Sequence, residues 1–140
     1  MKLNALYDYA LQRNIGVCCV ALRSKKAFST KHDDGHYVVL NYTGSEREER
    51  LTLAEEVGHC ETDAFYCLDD INSSNWKCNV AKVERQARNW QIKHLIPLES
   101  LRAAIKEFRG EVWEIAEHLD VKDDLIRDAF DYYTAKGEVF

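Results

Sequence analysis

The chain has 140 residues, a formal net charge of −5 and 46% hydrophobic residues. That length suffices for one domain with a buried core and a small helical appendage, and the acidic balance argues against a dedicated nucleic-acid binder, which gains affinity by neutralising phosphates. No apolar run reaches membrane-spanning length, and the first residues lack the basic start and apolar stretch of a signal peptide, so a soluble cytoplasmic protein is expected.

The opening stretch "KLNALYDYALQRNIG" carries Leu3, Leu6, Tyr7, Ala10 and Leu11 at the spacing of one helix face. Gly16 follows where a helix C-cap belongs, which predicts a first amphipathic helix. "GVCCVALR" and "GHYVVLNY" are short β-branched or aromatic runs. Separated by a polar stretch with Asp33, Asp34 and Gly35, they predict two strands of a small sheet. Five cysteines without a CxxC pair fit neither a disulfide framework nor a zinc ribbon. Cys18 and Cys19 are expected to be buried reduced thiols.

Ser45 precedes Glu48 by three residues, a capping-box spacing that satisfies exposed amides at a helix start. Glu46 and Glu49 suit the positive end of its dipole, so a helix is predicted from Ser45 to Cys60. "CLDDINSSNWKCN" is polar and reads as a loop. Helical period returns from Asn79, with Val80, Val83, Ala87, Trp90 and His94 on one stripe that ends before Pro97. Pro97 suits the start of a helix bearing Leu98, Leu101, Ala104, Ile105 and Phe108 and stopped by Gly110. "EVWEIAEHLDV" and "DDLIRDAFDYY" predict two more short helices.

The helix after Ser45 contains "LTLAEEVGHCETDAFY". Residues four apart on a helix lie about 40° apart on its surface, so Glu55 and His59 can face one metal ion. Glu56 is rotated by about 100° from Glu55 and can reach a water instead. This is the geometry of the HExxH motif, with two ligands at i and i+4 and a general base between them. Carboxylate oxygen is an acceptable zinc ligand, so Glu can occupy the first ligand position. A catalytic zinc also needs a third protein ligand and an open position for water. Glu84 in "KVERQARNW" is the candidate, with uncharged Gln86 on the opposite flank as the poorer alternative. On this reading metal-activated water attacks a peptide carbonyl while Glu56 shuttles the proton. The competing reading is a solvent-facing acidic helix, because "SEREERLTLAEE" is rich in Glu and Arg. Gly58 inside the helix lowers its propensity and points to close approach by another backbone or a ligand.

"ERLTLAEEVGH" resembles the active-site helix of the ImmA/IrrE family of metallopeptidases, and specifically phage and prophage members with Glu in the first ligand position. "KVERQARNWQIKHLIPLESL", "VWEIAEHLDVKDDLIRDAF" and "GHYVVLNY" extend the likeness over most of the chain. The resemblance implies an α+β, zincin-like (gluzincin-type) fold: a small sheet with active-site helices over residues 1–97, and a C-terminal helical segment, residues 98–140, packed on that core. It implies zinc, or another divalent metal, held by Glu55, His59 and Glu84, with Glu56 as general base. Gln86 competes for the third ligand position, since many members carry the Glu immediately before the Ala. The implied protein acts in the cytoplasm of a bacterial host and cleaves a helix-turn-helix repressor. Two other functions are open: a catalytically silent module that keeps the fold and binds a repressor or regulator, and a DNA-binding regulator acting through the C-terminal helices. Glu55, His59 and Glu84 would balance a dication, which predicts a weaker Lewis acid than a His-His-Glu site.

The C-terminal helices have the cadence of a helix-turn-helix, but residues 111–140 hold nine acidic residues against three basic, a balance of −6. That opposes approach to DNA phosphate. Residues 81–109 hold seven basic against three acidic, a local +4 that a solvated face or steering of an acidic substrate would explain. His94 fits a core position or a transition-state donor. His32 and His36 fit a polar turn or a second metal site. Cys60 is expected to pack inward, and Tyr37 and Tyr42 fit either core or substrate contacts.

Overall fold

The computed structural model describes residues 1–23, 27–42, 44–63 and 76–140, and of residues 76–78 the backbone only. Of the loop expected over 67–79, residues 67–75 lie outside them, and residues 76–79 form the first turn of a helix instead, one turn earlier than the apolar stripe signals. The described architecture is α+β, with a three-stranded sheet and six helices in the order α1 (Leu3–Gln12), β1 (Ile15–Val20), β2 (Ala27–His32), β3 (Gly35–Asn41), α2 (Glu46–Glu61), α3 (Trp76–Leu95), α4 (Leu98–Phe108), α5 (Val112–His118) and α6 (Asp123–Ala135). By contact density the chain divides into two compact units, Met1–Trp90 and Gln91–Phe140.

In the first unit, β3 is the central strand, parallel to β1 and antiparallel to β2. The sequence predicts two strands, and the described residues form three. "AFSTKH" lacks an apolar alternation, yet β2 closes a hairpin on β3 across Asp33 and Asp34, pairing Ser29 with Val38. Residues opposite one another share a face, and successive residues alternate faces. Val38 and Leu40 are buried, so Val17, Cys19 and Ser29, the residues paired with or neighbouring them in register, lie on the same inner side. The outer side carries Cys18, Val39 and Phe28 in one row. This corrects the expectation that both adjacent cysteines are buried: Cys18 is exposed and Cys19 half-buried, because neighbours in a strand cannot both face inward.

The end of α1 also differs from expectation. Asn14 adopts φ 58°, a left-handed conformation that Asn tolerates, and the strand begins at the next residue. Gly16 is therefore inside β1 rather than at a cap, where a Cβ would lie 2.8 Å from the Tyr37 ring on β3. Tyr7 of α1 donates a hydrogen bond to Glu49 of α2 and lies 3.9 Å from the Cys19 sulfur, which ties α1, α2 and β1 together. Ser45 caps α2 as predicted, accepting from the Glu48 amide at 3.4 Å. The core of this unit gathers Leu6, Ala10, Ile15, Val38, Leu40, Leu53, Ala54, Val57 and Ala87.

The second unit is helical. Pro97 precedes α4, whose buried Leu101 and Ala104 join Ile115, Val121, Leu125, Ile126 and Ala129 in a separate core. Arg109, at φ 53°, turns the chain out of α4. The Tyr133 hydroxyl donates to the Ile96 carbonyl at 2.7 Å, and Arg102 bridges Glu99 and Glu138. No helix among the described residues is long and apolar enough to cross a membrane.

Candidate metal centre

The site is built where α2 meets α3. Gly58 permits the meeting: a Cβ there would stand 2.7 Å from the Ala87 carbonyl oxygen and 3.3 Å from Trp90 Cβ, so only glycine lets the two helices come this close without a shift. The close approach inferred from Gly58 is thus to another backbone. Around it Leu53, Ala54, Val57 and Cys60 fill the interior, and His59, with 6% exposure, is drawn inside with them. Tyr9 of α1 stacks edge-on against Trp90 and donates to Glu61 at 2.8 Å, bracing α3 and α2 from a third side.

Glu55 and His59 project from successive turns of α2, and Glu84 reaches them from α3; one ligand atom from each lies within 4.8 Å of the others. His59 Nε2 is 3.7 Å from a Glu84 carboxylate oxygen. Gln86, the alternative third ligand, is exposed on α3. Ligands about 2.0–2.2 Å from a tetrahedral ion stand roughly 3.4 Å apart, so this spacing needs only small side-chain movement to close on a cation. The donor set of one imidazole nitrogen and two carboxylate oxygens suits zinc and other divalent ions, and three protein ligands leave a position for water. Two carboxylates gathered beside a buried imidazole, with Glu56 next to them, repel one another; a dication offsets that repulsion.

Glu56 lies half-buried beside this group. Burial pushes its carboxyl above the ordinary carboxylate range, and the charges of Glu55 and Glu84 push the same way. A side-chain hydrogen bond from Ser29 on β2 and the nearby His59 pull it back down. Nothing in the sequence points to Ser29, because "AFSTKH" shows no strand-like apolar alternation. Cys60 is buried as expected, and burial, with Glu56, Glu61 and Asp63 adding to it, pushes its thiol up to about 12.

The other candidates lie apart from the site. His36 approaches Asp63 at 3.6 Å, and Lys31 reaches the same carboxylate at 3.1 Å, so this corner is an ion-pair cluster. Among the described residues, Glu55, His59 and Glu84 form the one His, Cys, Asp and Glu group spaced to hold an ion, and His32 and His36 do not form a second. Tyr37 is on the outer face of the sheet, where it donates to Asp34 at 2.6 Å and stacks on His32; Tyr42 is 72% exposed. His94 is half-buried on α3.

A helix pair that offers two carboxylates and an imidazole to one point, with a further carboxylate alongside, defines a metallopeptidase-like domain. The chain belongs to the peptidase M78 family: the family model described as the IrrE N-terminal-like domain matches residues 14–127. That family is metal-dependent, in keeping with the donor set. No curated protein matches the chain.

Proposed function

We propose that the chain is a zincin-like metallopeptidase that hydrolyses a peptide bond of a helix-turn-helix repressor, with Glu55, His59 and Glu84 as metal ligands and Glu56 as general base. The observation that carries this reading is the convergence of Glu55, His59 and Glu84 with Glu56 beside them. Zinc or another divalent metal, held by Glu55, His59 and Glu84, would supply the Lewis acid that polarises the scissile carbonyl and activates water. Glu56 takes the proton from the attacking water and passes it to the departing amine, a task that a partly desolvated carboxylate suits because its raised proton affinity makes it a stronger base. β2 is an edge strand that pairs on one side with β3 among the described residues, and an extended peptide can align along its other edge. The repressor as substrate follows from the likeness to phage-type members of the family.

A second reading is favoured by Glu55 itself. With Glu55 and Glu84 both anionic the ligand set cancels a dication, which weakens the Lewis acid, and a silent module that binds a repressor without cutting it would tolerate that loss. One experiment separates the two. The purified protein is expected to hold one equivalent of metal, His59→Ala to lose it, and Glu55→Gln to bind it more weakly. Glu56→Gln is expected to keep the metal and to cleave the repressor roughly 10²–10⁴-fold more slowly. No stoichiometric metal in the wild-type protein under metal-replete conditions would leave the silent module standing.

A further inference from the structure

We propose that the hollow between α4 and residues 138–140 is a binding site for a small apolar monocarboxylate, of the size of a medium-chain fatty acid. The site lies wholly within the Gln91–Phe140 unit and is independent of the peptidase reading. Arg102, Ile105 and Lys106 stand at i, i+3 and i+4 on one face of α4, and Val139 and Phe140 line the hollow with them. Three contacts hold the segment that carries Val139 and Phe140. The Glu138 amide donates to the Tyr133 carbonyl at 3.0 Å, the Glu138 carboxylate meets Arg102 at 2.7 Å, and the Phe140 ring stacks edge-on against Phe130 at 5.2 Å.

Size, polarity and charge each narrow the occupant. The cavity volume is about 240 Å³. That exceeds the roughly 150 Å³ that takes up a benzene ring and falls short of the roughly 300–1,000 Å³ of drug-sized sites, so a chain of about eight carbons is the right scale. Ile105, Val139 and Phe140 give the hollow its apolar lining, yet Val139 is 81% and Phe140 45% exposed, so a ligand seated there takes apolar surface out of water. Arg102 is already matched by Glu99 at 3.2 Å and by Glu138, which leaves Lys106 as the lining cation without a carboxylate partner among the described residues. One uncompensated positive charge suits one negative charge. Residues 91–140 hold eleven acidic residues against seven basic, and that field opposes a phosphate or any other polyanion. The α4 side of the hollow is mid-helix, with its amides and carbonyls bonded along the helix, so an extended peptide finds no main-chain partner there.

The test titrates the full chain, ¹³C-labelled at isoleucine and valine methyls, with sodium octanoate, with octanamide, which keeps the chain and loses the charge, and with inorganic phosphate. Octanoate is expected to shift the Ile105 and Val139 methyl resonances saturably, the two being assigned through Ile105→Val and Val139→Ala. It should bind about 2- to 5-fold more tightly than octanamide, the weight of one exposed ion pair, and Lys106→Gln should abolish that preference. Phe140→Ala should weaken both ligands about 10-fold by removing apolar contact. Phosphate should move neither methyl. Octanoate that moves neither methyl overturns the proposal. So does equal affinity for octanoate and octanamide, a preference that survives Lys106→Gln, or binding that Phe140→Ala leaves unchanged. Displacement of octanoate by phosphate would overturn the choice of a monocarboxylate. Each of these outcomes is independent of metal content, so failure here and failure of the peptidase reading are told apart.

Discussion

α2 and α4 are both helices with charged residues scattered along them, and they use those charges in opposite ways. In α4 the apolar positions make one stripe: Leu101 and Ala104 are buried, and Lys106 and Glu107 face solvent. In α2 the consecutive residues Val57, Gly58, His59 and Cys60 are all buried. Four consecutive residues span more than a full turn, so this end of the helix is enclosed on every side. A helix enclosed all round has no solvent face on which to discard its polar groups, and those it keeps must be satisfied by neighbours. For Glu55 and His59 the neighbours include Glu84 of α3, and this enclosure separates α2 from the amphipathic α4.

Substitutions on each helix sharpen the contrast. Leu101→Ala leaves a cavity in the core of the Gln91–Phe140 unit and is expected to lower stability by about 2–5 kcal/mol in denaturant titration, with metal stoichiometry of the folded protein unchanged. Loss of metal in that variant would break the distinction. Gly58→Ala is expected to cost about 1–3 kcal/mol by overpacking against the Ala87 carbonyl, reduced by the roughly 1 kcal/mol that alanine gains in helix propensity. It is also expected to weaken metal affinity, because the helix approach that brings Glu84 to His59 must widen. A Gly58→Ala protein with unaltered zinc affinity would show that the site tolerates that widening.

The smallest effect concerns Asp63, just beyond α2. The hydrogen bond from Lys31, with His36 adding to it, holds the Asp63 carboxyl below the ordinary range. A carboxylate with a depressed folded-state pKa contributes stability that is present above its unfolded value and lost as pH falls through its folded value. The pair is more than half exposed, so solvent screening leaves under about 0.5 kcal/mol. Denaturation of Asp63→Asn against wild type should differ near neutral pH and converge once the pH has fallen through the depressed folded-state value, where the aspartate is protonated in both states. A difference that persists there would assign the effect to packing.

Much of this was legible in the chain itself. Ser45 and Glu48 announced the start of α2 because a cap is a local interaction, and Pro97 with the leucines after it announced α4 because an amphipathic stripe is a local pattern. β2 was not legible. Its outward Phe28 and Thr30 alternate with inward Ala27, Ser29 and Lys31, so neither face is consistently apolar. Its pairing with β3 supplies what its composition lacks. Cys18 and Cys19 read as a single apolar unit until the strand divided them between two faces, and Asn14 took the turn that Gly16 seemed made for, because the chain had to enter β1 two residues earlier.

By itself the sequence determined the pairing of Glu55 with His59, since i and i+4 meet on any α-helix whatever surrounds it. It also determined that Glu56 stands between them, turned toward another neighbour. Tertiary structure alone decided that Glu84, and not the exposed Gln86, comes close to the pair. That contact joins elements distant in the chain, and its geometry depends on how closely α2 lies against α3, a distance that the missing side chain of Gly58 sets.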